Sequence, residues 1–279
     1  MSPAVAGTVR DALGAATDSL RAAGVEDPRL DAELLLAEAM GAERAMLAAA
    51  PESGVDASQA RAFGEMVRRR VAREPVAYIL GRKGFRHLEL RVDRRALIPR
   101  PETELLVEVA LELRPDVVID VGTGSGAVAL AIADEMPDSS VVGTDISQAT
   151  LDLARSNARA LELDERVRFL GASLPPGANA DLLVANLPYI TEADWAGLQP
   201  EITEWEPRAA LVAGPTGLEV IERLLGDVSV TEGRIGAVAL ELGMGQADAV
   251  AELVRRAGFE RVEARRDLAG IERVVLGLP

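Results

Sequence analysis

"VIDVGTGSGAVALAIA", Val118 to Ala133, is the stretch on which the fold turns. Val118 to Val121 reads as a short buried strand. Gly122, Gly124 and Gly126 then form a turn almost free of side chains, and the apolar run from Ala127 reads as a buried helix. In a strand, glycine turn and helix in that order, the glycines let backbone approach a ligand closely and the turn feeds a helix N-terminus. The spacing is Gly-x-Gly-x-Gly rather than Gly-x-Gly-x-x-Gly, so the loop alone does not choose the ligand.

Downstream the pattern repeats. "DVVIDVG", "SVVGTD", "RVRFL" and "DLLVAN" are short apolar strands, and helical segments at about 125–136 and 147–161 separate the first three. Such alternation implies a mostly parallel sheet covered by helices. Near the end, "IGAVALELG", a helix at about 246–257, "FERVEARRDL" and "IERVVLGL" supply three more strands. The last two have no helix between them, so they should pair antiparallel. Upstream, the first ~75 residues read as helices. Val9, Leu13, Ala16 and Leu20 share one face, Gly24 can end that helix, and Asp27-Pro28 suits the start of the next, which runs to Gly41. A short helix is expected over 42–50 and a longer one over 57–73, with Phe63, Val67 and Val71 inward. Residues 76–98 mix alternating apolar positions with prolines and read as a hairpin-like connector. The expected organisation is therefore a helical domain at 1–75, a β-hairpin connector at 76–98 and an α/β domain at 99–279.

Composition removes several chemistries. With no cysteine there are no disulfides, thiolate metal sites or cysteine nucleophile. The single His87 argues against a histidine metal centre and a Ser–His–Asp triad, and no metal is expected. No apolar run reaches membrane-spanning length and "MSPAVAGTVRDALG" lacks the layout of a secretion signal, so a cytoplasmic protein without a membrane partner is expected. Charge is uneven. Residues 1–98 hold 15 Lys+Arg and 14 Asp+Glu, and the remainder holds 15 and 31. An acidic body argues against stable nucleic-acid binding. Within the first part, residues 61–95 carry 11 basic and 4 acidic side chains, which leaves room for docking one partner.

Asp145 closes the strand after the glycine loop, where a carboxylate can accept hydrogen bonds from both ribose hydroxyls. The competing reading is a cap for the helix after it. Asp120 can orient the loop or attract a cationic ligand. NAD and S-adenosylmethionine both fit so far. A dehydrogenase needs a proton donor near the hydride acceptor, and the only histidine and lysine, His87 and Lys83, lie in the connector. "NLPY", Asn186 to Tyr189, favours methyl transfer to a planar nitrogen. Such a nitrogen is a poor nucleophile, and a site must hold both its N–H groups. The Asn186 side-chain oxygen can accept one and the Leu187 carbonyl the other, with Pro188 restricting Leu187 and Tyr189 lying flat on the planar group. The bland alternative is an Asn-X-Pro turn beside a buried tyrosine.

"VGTGSG", Asp145 and "NLPY" together resemble class I S-adenosylmethionine-dependent methyltransferases acting on planar nitrogens. "REPVAYILGRKGFRHLELRVDRRALIPRPETELLVE" and "RDLAGIERVVLG" resemble the HemK/PrmC-type release-factor glutamine methyltransferases, and the likeness covers nearly the whole chain. It implies a Rossmann-like seven-stranded domain with an antiparallel last strand, behind a small all-α domain that recognises the substrate. It implies methyl transfer to the glutamine amide nitrogen in the Gly-Gly-Gln motif of peptide chain release factors, in translation termination. Separately, a monomer is expected. By the same likeness Gly122, Thr123, Gly124, Ser125 and Gly126 contact the methionine part and nearby ribose, and Asp145 takes the ribose hydroxyls. Asn186, Leu187, Pro188 and Tyr189 hold the glutamine amide, with Asn186 also beside the cofactor. Arg100, Pro101 and Thr103 shape the cofactor's mouth, although Thr103 equally suits a helix cap. Two departures stand out. Leu187 replaces the family's first proline, and Ala172 and Ser173 stand where an acidic and a hydrophobic residue normally meet the adenine, which makes Ser173 the expected contact there.

Asn-Leu-Pro-Tyr also resembles ribosomal RNA adenine-N6 methyltransferases, where a flipped adenine amino group takes the amide's place. The acidic catalytic part and the leading helical domain weigh against that reading. A non-catalytic cofactor-binding adaptor is the rival from another class. For "RRR" at 68–70 the first reading is a solvated helix end, with docking to release factor or ribosomal RNA as alternatives.

Overall fold

The computed structural model describes residues 5–279. The first four residues, included above in the helical domain and the leader reading, lie outside the described residues. The chain forms two compact units, one of residues 1–81 and 200–205, the other of 82–199 and 206–279.

The first unit holds β1 (Val5–Thr8), α1 (Val9–Ala22), α2 (Pro28–Met40), α3 (Arg44–Ala49), β2 (Gly54–Asp56), α4 (Ala57–Val71) and α5 (Val76–Leu80). Local chemistry starts and stops these helices. Thr8 and Asp11 form a capping box on α1, as Asp56 and Gln59 do on α4. Pro28 opens α2 and left-handed Gly41 closes it, while the Asp27 side chain makes no cap bond. Val9, Leu13 and Leu20 of α1 pack with Leu35 and Leu36 of α2 and Phe63 of α4. The expected inward face of α4 is off at its end. Val71 is 40% exposed and Arg70 is 6% exposed. The Arg70 guanidinium reaches Asp31 and Glu201, both at 2.7 Å. Glu201 lies on α10 (Pro200–Thr203), a segment belonging to this unit. Arg73 holds Glu201 as well. Arg70 is thus an interior ion pair, not a solvated helix end. Arg69 pairs with Glu74, and exposed Arg68 faces Glu65 at 3.7 Å.

The second unit opens with the hairpin β3 (Arg82–Phe85) and β4 (Leu88–Arg91). The expected connector began at 76, but 76–80 is helical and left-handed Gly81 ends that turn. Then follow α6 (Glu104–Leu113), β5 (Val117–Val121), α7 (Ala127–Glu135), β6 (Ser140–Asp145), α8 (Gln148–Ala160), β7 (Val167–Gly171) and β8 (Ala180–Ala185). The small strands β9 (Ile190–Thr191) and β10 (Val212–Gly214) pair in parallel and flank α9 (Glu192–Trp195). α11 (Glu219–Val230), β11 (Ile235–Glu241), α12 (Ala247–Arg256), β12 (Arg261–Arg266) and β13 (Glu272–Leu278) complete the unit.

Seven strands form one sheet in the order β12-β13-β11-β8-β5-β6-β7. The five from β7 to β11 are parallel, and β13 runs antiparallel between β11 and β12. Alternate side chains go to opposite faces. Val118, Leu182 and Val184 meet α6, α7 and α8 on one face. Ile119, Leu183 and Leu240 meet α11 and α12 on the other. Coverage on both faces is why β5 and β8 read as continuous apolar runs. No helix among the described residues is long and apolar enough to cross a membrane.

Candidate active site

The C-terminal ends of β5, β6, β8 and β11 converge, the usual place for a ligand on an open parallel sheet. The glycine loop leaves β5. Gly122, Gly124 and Gly126 have φ of 73°, 58° and 87°, a region where a side chain is strained. Below the loop, Asp120 accepts from the Thr123 hydroxyl at 2.6 Å and from the Ala129 amide at 3.1 Å. Burial pushes the Asp120 carboxyl up to about 6, against the pull of those two bonds. Asp120 therefore orients the loop. From the side, the Asn157 amide of α8 donates to the Ser125 carbonyl at 2.8 Å.

Asp145 ends β6 half-buried. One of its oxygens accepts from the Ser147 amide at 2.8 Å and the other from Gly124 at 3.3 Å. Burial raises its pKa and the backbone bonds oppose that. The carboxylate thus ties the glycine loop to the start of α8, where Ser147 is itself the cap. Ile146 beside it is 84% exposed. Ser173 stands after β7, and its carbonyl accepts from the Thr144 hydroxyl at 2.8 Å. A glycine-lined backbone, a carboxylate and an exposed apolar side chain fit a ribonucleoside bearing an amino-acid chain. At Gly124 an added Cβ would meet only the Gly122 carbonyl, at 3.9 Å.

The "NLPY" segment follows β8 and abuts the same loop. A Cβ on Gly122 would lie 3.0 Å from Leu187 Cδ2 and 3.6 Å from the Asn186 carbonyl oxygen, so glycine there admits the close approach. The Asn186 Nδ2 donates to the Thr103 hydroxyl at 2.9 Å. That leaves Oδ1 as an acceptor for another partner. Thr103 starts α6 but its side chain makes no cap bond, so its hydroxyl serves Asn186 instead. Tyr189 is seated by Gln246, whose Nε2 donates to the Tyr189 carbonyl at 3.0 Å while its Oε1 accepts from Gly243 at 2.8 Å. Gly217 has to be glycine, because a Cβ there would sit 2.5 Å from the Tyr189 oxygen. Burial and the nearby Glu241 push the Tyr189 phenol up to about 12, so it keeps its proton.

Three supporting residues escaped the sequence reading. Gln246 braces Tyr189. Glu206 accepts from Arg100 at 2.5 Å and from the Ile98 amide at 3.1 Å, fixing the segment before α6. Glu241 ends β11 at 2% exposure. Burial raises its pKa to about 7, opposed by hydrogen bonding from Thr103. An acid ending an apolar strand was the available signal for Glu241, as it was for Asp120. Nothing local marks the other two. Pro101 starts the turn before α6, and Arg100 is half-buried. Among the described residues no group of acidic or histidine side chains could hold a metal ion.

Residues 11–81 match the family model described as PrmC N-terminal domain, and residues 118–205 match one described as methyltransferase domain. A release factor glutamine methyltransferase of Rhodopirellula baltica is 39% identical over 96% of this chain and 95% of its own. One of Moorella thermoacetica is 42% identical over 96% and 98%. Among solved structures, the hMettl16 catalytic domain in complex with the MAT2A 3'UTR hairpin 6 covers 77% of this chain and 82% of its own, with a TM-score of 0.58 at 15% identity. At that identity the likeness is one of fold.

Proposed function

The chain belongs to the release factor glutamine methyltransferase family, and from that premise we propose that it methylates the side-chain amide nitrogen of the glutamine in the Gly-Gly-Gln motif of peptide chain release factors. S-adenosylmethionine, the methyl donor, supplies a methyl carbon made electrophilic by its sulfonium sulfur. Gly122 to Gly126 receive its methionine part and ribose, Asp145 its ribose hydroxyls, and the loop at Ser173 its adenine. Asn186 Oδ1 accepts one N–H of the glutamine amide and the Leu187 carbonyl the other. This fixes the amide plane with the face of the nitrogen toward the methyl carbon; as the N–C bond forms the S–C bond breaks, and the extra N–H proton leaves afterwards. Tyr189, held protonated, lies against the planar group and is no base. The helical first domain recognises the release factor.

The observation that carries this reading is the fixed Asn186 carboxamide beside the glycine loop. Its Nδ2 is engaged by Thr103 at 2.9 Å, so its oxygen is presented as an acceptor for a planar N–H group. The test is transfer of labelled methyl to purified release factor, beside the same factor with the Gly-Gly-Gln glutamine changed to alanine, and beside ribosomal RNA. Label on the intact factor alone is expected. Label on RNA would make the adenine reading correct, although 31 acidic against 15 basic side chains after residue 98 weigh against it.

A further inference from the structure

Gln246 stands at the N-cap of α12, a position where Ser, Thr, Asp or Asn usually turns its side chain onto the helix. The Gln246 side chain makes no cap bond. It goes instead to three other stretches of main chain. Its Oε1 accepts from the Gly243 amide at 2.8 Å, in the turn after β11. Its Nε2 donates to the Tyr189 carbonyl at 3.0 Å, after β8, and reaches the Gly217 carbonyl at 3.5 Å, before α11.

Those partners demand an amide. Gly243 offers a proton, and Tyr189 and Gly217 offer lone pairs, so the side chain must accept on one side and donate on the other. Turned over, the carboxamide would set its oxygen against two carbonyl oxygens. The backbone closes around the same point. A Cβ on Gly217 would lie 2.5 Å from the Tyr189 oxygen and 2.8 Å from Gln246 Nε2. One on Gly243 would lie 3.0 Å from Gln246 Oε1 and 3.1 Å from Tyr189 Cδ2. The turn at Gly243 therefore abuts the tyrosine ring, while Gln246 at its far end holds the tyrosine main chain. Glu219 of α11 steadies the third stretch, accepting from the Thr216 amide at 2.8 Å and the Thr216 hydroxyl at 3.0 Å.

We infer that Gln246 is a positioning residue for methyl transfer. It ties the end of the Asn186–Tyr189 segment to the turn after β11, and so fixes the Tyr189 ring and the nearby Leu187 carbonyl against the amide to be methylated. This rests on the methyl-transfer reading above and adds to it a group that acts through Tyr189.

The experiment compares the full-length wild type with Gln246→Met and Gln246→Glu, at saturating S-adenosylmethionine and release factor. Methionine keeps the length and removes both bonds. Each variant should lose about tenfold or more in single-turnover transfer at about pH 8, since small misplacements of a positioning group cost that much. KM for the factor and the affinity for S-adenosylmethionine should stay within about twofold. Glutamate adds a proton test. Ionised, it keeps the bond from Gly243 but turns a second oxygen on the Tyr189 and Gly217 carbonyls. Protonated, it donates to Tyr189 as the amide did. That repulsion and partial burial hold its pKa above the ordinary glutamate value of about 4.3. The ratio of Gln246→Glu to wild-type rate should therefore climb as pH falls from about 8 toward 6, while the ratio for Gln246→Met stays flat. Glu241, Glu102, Arg100 and Arg273 around Tyr189, Glu219 on α11 and Asp248 in the first turn of α12 are common to all three proteins, so they drop out of the ratio.

Unchanged transfer in Gln246→Met would overturn the proposal. So would a flat ratio in Gln246→Glu, or a loss confined to thermal stability. An independent readout uses the two tyrosines of the chain. Labelling tyrosine at its carbonyl carbon gives two resonances, and Tyr189→Phe assigns them. In protein without cofactor or substrate, the Tyr189 signal should move in Gln246→Met and return with acid in Gln246→Glu. A signal indifferent to both would sink the idea. If the wild type labels no release factor, the methyl-transfer reading fails, and this resonance still decides whether Gln246 holds Tyr189.

Discussion

Leu187 is buried and packs over the glycine loop, with its Cδ2 set 3.0 Å from where a Gly122 Cβ would be. A proline there would keep the accepting carbonyl and restrict Asn186 to extended backbone. It would also lose part of the apolar contact with Gly122. For Leu187→Pro we expect methyl transfer that is not slowed, from a protein less stable by about 1–2 kcal/mol. Thermal unfolding and single-turnover transfer on one preparation check both halves, and slowed transfer would show that the leucine contact positions the loop. Asp120 allows a second test at this scale. Burial pushes its carboxyl up to about 6, above the ordinary aspartate value of 3.8, so the folded state holds more protons than the unfolded chain between them. That penalty is absent below the unfolded value and fully present above about 6, on the order of 2–3 kcal/mol. Asp120→Asn keeps an acceptor for Thr123 and Ala129 and removes the charge. Its stability relative to wild type should therefore rise with pH between about 4 and 7. Denaturant midpoints across that range measure it, and a flat difference would mean that Asp120 is not held with a raised pKa. Residues with a generic task, such as a loop glycine, an acid after a strand or Asn-X-Pro-Tyr, were legible in the sequence. Gln246 and Glu206 were not, because the groups they hold, Tyr189 for one and Ile98 and Arg100 for the other, lie 57, 108 and 106 positions away; Glu241 carried only the signal of an acid ending an apolar strand.

The alternation of apolar strands and helices predicted the seven-stranded sheet because its central strands are covered on both faces and cannot alternate in polarity. The pairing of the last two strands followed from the missing helix between them. Two places were not legible. Residues 76–80 form a helix where prolines suggested extended chain. Between 190 and 234 no element was assigned, although α11 buries Ile221, Leu224 and Leu225 there. The short β9 and β10 have no periodicity to detect. One strand position couples sheet packing to the site. A Cβ on Gly143, in the middle of β6, would lie 2.7 Å from Phe169 and 2.8 Å from the Thr123 hydroxyl oxygen. Gly143→Ala should therefore cost about 1–3 kcal/mol through overpacking. It should also weaken S-adenosylmethionine binding, because Thr123 is the residue that ties the loop to Asp120. Calorimetric titration beside a thermal melt separates the two effects. A destabilised variant with unaltered affinity would show that the loop tolerates movement of Thr123.

Residues 200–205 belong to the first unit while the chain on either side belongs to the second. No sequence pattern announces this, since the partners of Glu201 lie 131 and 128 positions away at Arg70 and Arg73. Burial alone would raise the Glu201 pKa, but the bonds from Arg73 and Arg70 outweigh it and hold it below the usual glutamate value. Asp31 is raised, because burial outweighs its single arginine. The arginines lean most heavily on Glu201, so its loss leaves a nearly buried guanidinium half-paired, which costs about 3–5 kcal/mol. Glu201→Ala should therefore unfold the first unit at markedly lower denaturant, and hydrogen exchange should speed up through 200–205 and the end of α4. Glu201→Gln should fall between, since an amide oxygen still accepts but carries no charge. In the wild type the Glu201 contribution is present above the unfolded glutamate value and is lost as pH falls through the depressed folded one, so the gap between wild type and Glu201→Ala should narrow in acid. Arg70→Glu would set a third carboxylate beside Asp31 and Glu201, so charge reversal across "RRR" tests stability before it tests docking. Arg68→Glu is the clean docking variant, because Arg68 is exposed and its ion-pair partner among the described residues is the equally exposed Glu65. Unchanged exchange in Glu201→Ala would mean that apolar packing alone holds the segment.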